Sequence, residues 1–211
     1  MKSYHQYCPI ASALDLVGER WALLVVRELL QHGQLRYSDL LAALDGCSTN
    51  MLATRLKDLE RGGVVRRRRL PPPAASTVYE LTTYGQGLAP VLRELAHWGA
   101  QVMGPPTPEV QLEDDWLDGA LKIVFPPATT ARVEFRIDDQ VGSLVDGDVV
   151  VGPLERPDAV VTGDARGFYH LVVDRNLDAV QVAGSRTVLR ELLAALPEKV
   201  ARPAADPGLA A

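Results

Sequence analysis

The sequence predicts a two-domain chain: a mainly α first half carrying a β hairpin, and an α+β second half. Three observations lead there. Leucines recur at helical spacing up to residue 59 and are followed at once by an arginine-rich hairpin. Residues 104–108, Gly-Pro-Pro-Thr-Pro, carry no apolar anchor and have the composition of a linker. Beyond them the apolar pattern turns to strict alternation, as at Val133, Phe135 and Ile137. The expected divisions are 1–103, the linker 104–108, a second domain over 109–200 and a disordered tail over 201–211.

Cys8-Pro9 opens the first helix, because proline is favoured at the first helical position, and the helix is expected to reach Val17. Residues 20–30 are apolar nearly all round, as in a central buried helix, with Gly33 as its stop. Arg36-Tyr37 is short enough to be a single sheet bridge. Ser38 is the expected cap of a third helix that turns Leu40, Leu41 and Leu44 inward. Asp45-Gly46 makes a tight turn into the next.

That next helix, residues 48–61, organises the first half. Ser48 is its expected N-cap. Leu52, Leu56 and Leu59 form one stripe, and at about 100° per residue Asn50, Thr54, Lys57 and Arg61 fall opposite. Gly62 or Gly63 ends it. Val64-Val65 starts a strand, Arg66, Arg67, Arg68 and Arg69 follow, Pro71–Pro73 turn the chain, and Val78–Thr82 return it. In a strand the four arginines alternate sides. A helix, Gly-Gly and a basic hairpin in that order is the layout of a winged helix-turn-helix.

On that layout Ser48, Thr49, Asn50, Thr54 and Lys57 are the candidate residues facing base edges. Asn50 suits adenine and Lys57 suits guanine. Arg36 and Arg66–Arg69 would neutralise phosphates, because the guanidinium fork donates to two oxygens at once. Charge agrees with the division: the net −5 is the difference between +3 over residues 1–103 and −8 over 104–211, so only the first half suits a polyanion.

Thr83 onward reads as one long helix with Leu88, Leu92, Leu95 and Val102 at nearly heptad spacing beside Trp98, a candidate dimerisation element or an internal packing helix. Pro90 within it is expected to bend it, an interior proline costing about 3 kcal/mol. After the linker, Leu112 to Val124 is amphipathic, with Trp116, Leu117, Ala120 and Leu121 on one side and Pro126-Pro127 as its stop. Residues 131–137 are a half-buried strand with Arg132, Glu134 and Arg136 outward. Val141–Val145, Asp146-Gly147 and Asp148–Val151 form a hairpin. Two similar units follow: a short strand from Asp158, then one from Asp178, each entering a helix through a glycine and a capping residue, over Arg166–Val173 and Arg186–Leu196.

Other chemistries find little support. No apolar run approaches the ~20 residues that span a bilayer, and the first residues lack the apolar core of a secretory signal, so a cytoplasmic chain with no membrane partner is expected. Two cysteines make no disulfide framework. His5, His32, His97 and His170 show no metal-ligand spacing, and no phosphate loop or nucleophile constellation is present. The expectation is a non-enzyme without cofactor or metal.

Residues 8–99 resemble the HxlR family of bacterial winged-helix transcriptional regulators, relatives of the MarR-type regulators. The resemblance is carried by Cys8-Pro9, Gly18-Glu-Arg-Trp21, Arg36-Tyr-Ser-Asp-Leu40, Ser48-Thr-Asn-Met-Leu52, Leu56-Lys-Asp-Leu-Glu60, Gly62-Gly-Val64, Pro71–Pro73, Tyr79-Glu-Leu-Thr82 with Gly85, Leu95, and Trp98-Gly99. It implies a homodimer on a palindromic double-stranded DNA operator with helix 48–61 in the groove. The chain departs from the family at Cys47, usually aliphatic there, and at Gly33-Gln34-Leu35. Some members use the cysteine matching Cys8 to sense electrophiles or oxidants, so Cys8 is a candidate thiol sensor, with a small buried side chain as the plainer reading.

The second half is similar to the sterol-carrier-protein type-2-like fold, on the Gly163-Asp164 turn, Phe168, Leu171, Gly184 and Val188-Leu-Arg-Glu-Leu-Leu193. That resemblance implies an apolar pocket for a lipid or other small effector. Its candidate lining is Phe135, Phe168, Leu171, Leu189, Leu192 and Leu193. A solid core used for packing alone is the competing reading. From another class, the whole chain reads as a lipid or small-molecule carrier whose winged helix serves protein contacts.

Overall fold

The computed structural model describes residues 3–107, 112, 115–125 and 130–197. The chain divides into two compact units, Met1–Leu92 and Arg93–Ala211, and the division falls inside one helix, Ala89–Met103.

The first unit orders α1 (Pro9–Val17), α2 (Ala22–His32), β1 (Gln34–Arg36), α3 (Tyr37–Ala43), α4 (Thr49–Arg61), β2 (Val65–Arg69), β3 (Thr77–Leu81) and α5 (Thr83–Gln86), and includes the start of α6 (Ala89–Met103). Its core gathers around α2. Val25, Val26 and Leu29 pack with Leu40 of α3, with Leu52, Leu56 and Leu59 of α4, and with Val64 and Val65 at the root of the hairpin. Burying a leucine stabilises by about 1.5–3 kcal/mol, so the three α4 leucines fix which face of that helix looks outward. β1, β3 and β2 form a small antiparallel sheet in that order.

Expectations in this unit are corrected at two places, before α3 and after Thr83. The stretch before α3 is a three-residue strand rather than a single bridge, and α3 begins at Tyr37, capped by Arg36 instead of Ser38. The cause is Asp39: its carboxylate accepts the Arg36 backbone N–H at 3.1 Å, while the Ser38 hydroxyl donates to the same carboxylate. The long helix from Thr83 is two helices, α5 and α6, and Pro90 is the second residue of α6. There the missing N–H has no helical acceptor to lose, so the proline starts a helix and bends none.

In the second unit are α7 (Trp116–Val124), β4 (Arg132–Ile137), β5 (Gln140–Val145), β6 (Asp148–Val151), β7 (Ala159–Gly163), α8 (Ala165–Val173), a 3-10 turn at Leu177–Ala179, β8 (Gln181–Gly184) and α9 (Arg186–Ala194). The strands make a mixed five-stranded sheet ordered β6-β5-β4-β7-β8, with β4 and β7 parallel. Asp146 and Gly147 both take positive φ, which lets the β5–β6 turn follow the strand twist. Asp164 caps α8 by accepting from Gly167 N at 2.6 Å, and Ser185 caps α9 by accepting from Val188 N at 3.3 Å. The second helix of the paired units stops at Ala194. Pro108, most of residues 109–114, Pro126-Pro127 and 201–211 lie outside the described residues, and so do the expectations placed on them.

Glu134 corrects the reading of β4. It is 1% exposed, not outward. β4 is the central strand, and the chain after β6 crosses its second face: Glu134 accepts the Leu154 backbone N–H at 2.7 Å and Arg136 Nε at 2.5 Å. Ser143, fully buried beside it in register, donates to the Gly152 carbonyl at 2.7 Å. Two polar side chains thus hold down a loop that alternation alone assigned to solvent.

Candidate nucleic-acid interface

The geometry of α4 follows from its caps and its buried stripe. Ser48 Oγ accepts from Met51 N at 3.3 Å, and Tyr37 donates its hydroxyl to the Thr49 carbonyl at 2.7 Å, pinning the helix start to α3. Gly62 closes the helix, and Gly63 takes the left-handed conformation (φ 71°) that turns the chain into β2. With Leu52, Leu56 and Leu59 buried, Thr49, Asn50, Thr54 and Lys57 are exposed together. Thr54 donates its hydroxyl to the Asn50 carbonyl at 2.8 Å, which fixes the threonine rotamer and leaves its oxygen free to accept.

The hairpin sorts its arginines by strand register. Arg66 is opposite Glu80 and Arg68 opposite Val78, and on the far side of β3 Arg36 is opposite the same Val78. Residues directly opposite point to one face of a sheet. Arg36, Arg66 and Arg68 therefore share a face with Glu80 and Gln34. On that face Arg66 Nε donates to Glu80 at 2.7 Å, and Arg68 Nη2 donates to Glu80 at 2.9 Å and to Gln34 at 2.7 Å. The Arg68 hydrogen bond, aided by Arg66, holds the Glu80 carboxyl below the usual carboxylate range. Arg67 and Arg69 lie on the other face, opposite Tyr79 and Thr77, exposed and without an ion pair among the described residues.

A residue that spacing did not single out joins this surface. Arg20, exposed in the turn before α2, lines a concavity of about 230 Å³ with Asn50, Met51 and Thr54. Its guanidinium lies 5.4 Å from the centre of the Trp21 ring, a cation–π contact. The turn is tight: Trp21 has φ 79°, and a Cβ on Gly18 would come within 2.5 Å of the Leu14 carbonyl. The Gly18-Glu-Arg-Trp21 stretch was visible as a motif, yet its place beside Asn50 depends on packing far along the chain. Arg55 and Glu19 line the same concavity, and there Arg55 is turned to Asp58 at 3.5 Å and to Glu19 at 3.9 Å.

The two cysteines differ in burial. Cys47 is buried in the first core. Cys8 is partly exposed, occupies the N-cap of α1 and makes no capping hydrogen bond. In the second unit the six residues expected to line an apolar pocket, Phe135, Phe168, Leu171, Leu189, Leu192 and Leu193, are at most 3% exposed. They fill the core instead: Phe135 meets Phe168 edge-on at 5.9 Å and stands 5.7 Å from Phe125. Cavities described in this unit open elsewhere. Among the described residues no cluster of three His, Cys, Asp or Glu is placed to hold a metal, and no helix is long and apolar enough to cross a membrane.

Comparison with known proteins bears on the first half. The family model for the HxlR-like helix-turn-helix matches residues 16–106. The HTH-type transcriptional regulator YvaP of Bacillus subtilis is 39% identical over 101 residues, 47% of this chain and 93% of that protein. The HTH-type transcriptional regulator YodB of the same organism is 35% identical, over 46% of this chain and 88% of that one. The solved structure of the reduced form of B. subtilis YodB is 34% identical, covers 48% of this chain and all of its own, and superposes with a TM-score of 0.41.

Proposed function

The chain belongs to the HxlR-like helix-turn-helix family, and from that premise we propose that it is a sequence-specific regulator of transcription that works as a two-fold dimer on a palindromic operator. The relatives YvaP and YodB are named as HTH-type transcriptional regulators, which supports the reading. The observation that carries the reading is the outward face of α4. Asn50, Thr54 and Lys57 are exposed on one side of a helix whose other side is locked by three buried leucines. A cationic hairpin follows directly.

On this reading Thr49, Asn50, Thr54 and Lys57 meet base edges, with Ser48 at the helix start. Arg36 and Arg66–Arg69 meet phosphates. The dimer is supported by α6, where Val91, Leu95 and Trp98 recur at i, i+4, i+7 and are all exposed. A gel shift on the chromosomal region upstream of the protein's own gene, against random DNA of equal length, tests it. Saturable retention of the first at salt that releases the second is the expected result. Equal retention of both sinks it.

Two regulatory inputs belong to the proposal. The second unit binds an apolar effector that favours one dimer state, since a ligand shifts an equilibrium only by its difference in affinity for the two states. Cys8 is a thiol sensor, supported by its partial exposure at a helix start. Operator release by diamide is expected in the parent and absent in Cys8→Ser; the same release in both would remove Cys8 from the mechanism.

A further inference from the structure

The second unit contains a cavity of about 540 Å³ that the packed core does not fill. Its floor is the Ala96, Gly99 and Ala100 side of α6, three small residues that leave room above the backbone. Val124 and Val172, from the ends of α7 and α8, form its walls. Helix and walls are tied by two hydrogen bonds: His97 Nε2 donates to the Val124 carbonyl at 2.8 Å, and Tyr169 donates to the Ala100 carbonyl at 3.3 Å. The cavity is therefore bounded by fixed elements within the unit.

Its polar equipment is sparse, and Arg175 is the charged residue among those that line it. Arg175 lines the cavity just past the end of α8. Its guanidinium donates to two backbone carbonyls, Val172 and, at 2.7 Å, Pro197. It meets no carboxylate among the described residues. A guanidinium has five N–H donors, so those two bonds leave donors in hand. Burial acts to lower its pKa, with no neighbouring charge contributing; an arginine nevertheless stays protonated in proteins. His97 adds a second group: its Nδ1 is buried without a hydrogen-bond partner, and the Glu94 carboxylate stands 4.0 Å away. With Nε2 donating to Val124, Nδ1 of the neutral ring is an acceptor, so it marks the cavity wall as polar there and leaves the holding of an anion to Arg175. An apolar pocket with a few converging polar groups is the usual form of a small-molecule site.

We propose that this cavity binds an apolar monocarboxylate, its hydrocarbon body lying against Ala96, Gly99, Ala100 and Val172 and its carboxylate on the guanidinium of Arg175. The charge selects an acid over an alcohol or an amine, and the apolar floor selects a ring or chain over a sugar or nucleotide. The proposal deepens the effector part of the proposed function and takes its regulatory meaning from it. The link is α6, which lines the cavity and carries the exposed Leu95 and Trp98.

The test is calorimetric titration of the full chain with 2-naphthoate and with decanoate, each set against its neutral amide. One saturable site per chain is expected. The better acid should bind about tenfold or more tightly than its amide, in keeping with a charge-assisted hydrogen bond. The better of the two acids shows whether ring or chain is preferred. Arg175→Gln should bring the acid down to the level of the amide, and Ala100→Phe, which fills the floor, should abolish both. Absence of saturable binding to either acid, equal affinity for acid and amide in the parent, or an undiminished preference in a folded Arg175→Gln would each overturn the site. Should Arg175→Gln fail to fold, the acid–amide comparison on the parent together with Ala100→Phe decides the matter. A gel shift run in parallel separates the two readings: acid binding without operator binding keeps the site and removes the regulator.

Discussion

Arg68 closes a bidentate pair on Glu80. Its Nε lies 3.1 Å from Oε1 and its Nη2 2.9 Å from Oε2, and Arg66 Nε also donates to Oε1 at 2.7 Å. The hairpin proposed to meet phosphates thus carries its own anion, set between two of its four arginines. Glu80 orders them and at the same time competes with the duplex for them.

Replacing Glu80 should therefore strengthen and blunt DNA binding. In Glu80→Gln the neutral amide still accepts a hydrogen bond but surrenders the ion pairs. Random DNA should be held more tightly at low salt, and the slope of log affinity against log salt should steepen by up to about one unit for each additional phosphate neutralised. The same residue gives a pH dependence. Its folded pKa lies below the unfolded value, so its contribution to stability is present above the ordinary carboxylate range. It is lost as pH falls through the depressed folded value. Acid denaturation of the parent should show this loss, and Glu80→Gln should lack it. Identical salt slopes in the two proteins would show that Glu80 does not restrain the arginines.

Asn50 and Arg67 should separate recognition from attraction. Asn50→Ala removes a side chain suited to adenine and should cost about 1–3 kcal/mol on the operator, with little change on random DNA. Lys57→Ala should likewise relax sequence preference. Arg67, exposed and without an internal ion pair among the described residues, should behave otherwise: Arg67→Ala should weaken every sequence alike and lower the salt slope by about one. Fluorescence anisotropy on operator and scrambled duplexes at several salt concentrations measures both. Equal losses on the two duplexes for Asn50→Ala would take it away from the bases.

What could be read in advance followed from local rules, and what could not depended on partners distant in sequence. The α4 stripe, the Ser48 cap, the Gly63 turn and the Asp164 and Ser185 caps are set by neighbours within a few residues. Period and side-chain chemistry suffice for them. Pro90 misled because its effect depends on where a helix starts, which Thr82 and the α5–α6 break decide. Glu134 misled because alternation assumes one wet face, whereas the second face of β4 is crossed by a loop arriving from residues 152–158. Arg20 belongs beside Asn50 only through the packing of α2 on α4. Large apolar residues mark a core well and a cavity poorly, so Phe135 and Phe168 proved solid. The cavity lies over Gly99 and Ala100, where little side chain exists to signal it.

Glu134 offers a stability measurement on the second unit. Burial acts to raise its pKa, but the Leu154 N–H and then Arg136 outweigh it and hold the carboxyl below its ordinary value. Its stabilisation should therefore be complete near neutrality and fall away as pH drops through that lowered value. Hydrogen bonds to a charged group contribute about 1.5–3 kcal/mol, so Glu134→Gln should destabilise by an amount in that range at pH 7 and by less in acid. Urea unfolding followed by tryptophan emission measures it, since Trp116 packs on the same core. A loss that does not shrink in acid would assign the effect to packing and not to charge.

The last prediction concerns assembly. Trp98 is 66% exposed on α6 and Leu95 44%, one turn earlier on the same stripe. Leaving a tryptophan in water forfeits much of the stabilisation available to a side chain that buries about 150–250 Å², and a second copy of the stripe is the partner the dimer reading supplies. A two-fold interface places each residue near its symmetry mate, so a charge put there meets its own copy. Trp98→Asp should therefore shift sedimentation from dimer to monomer at micromolar concentration, while the first core, which Trp98 does not join, keeps its melting behaviour. Operator affinity should fall far more than affinity for a single half-site, because only the paired molecule engages both half-sites at once. Dimers undiminished in Trp98→Asp and in Leu95→Asp would move the interface off α6 altogether.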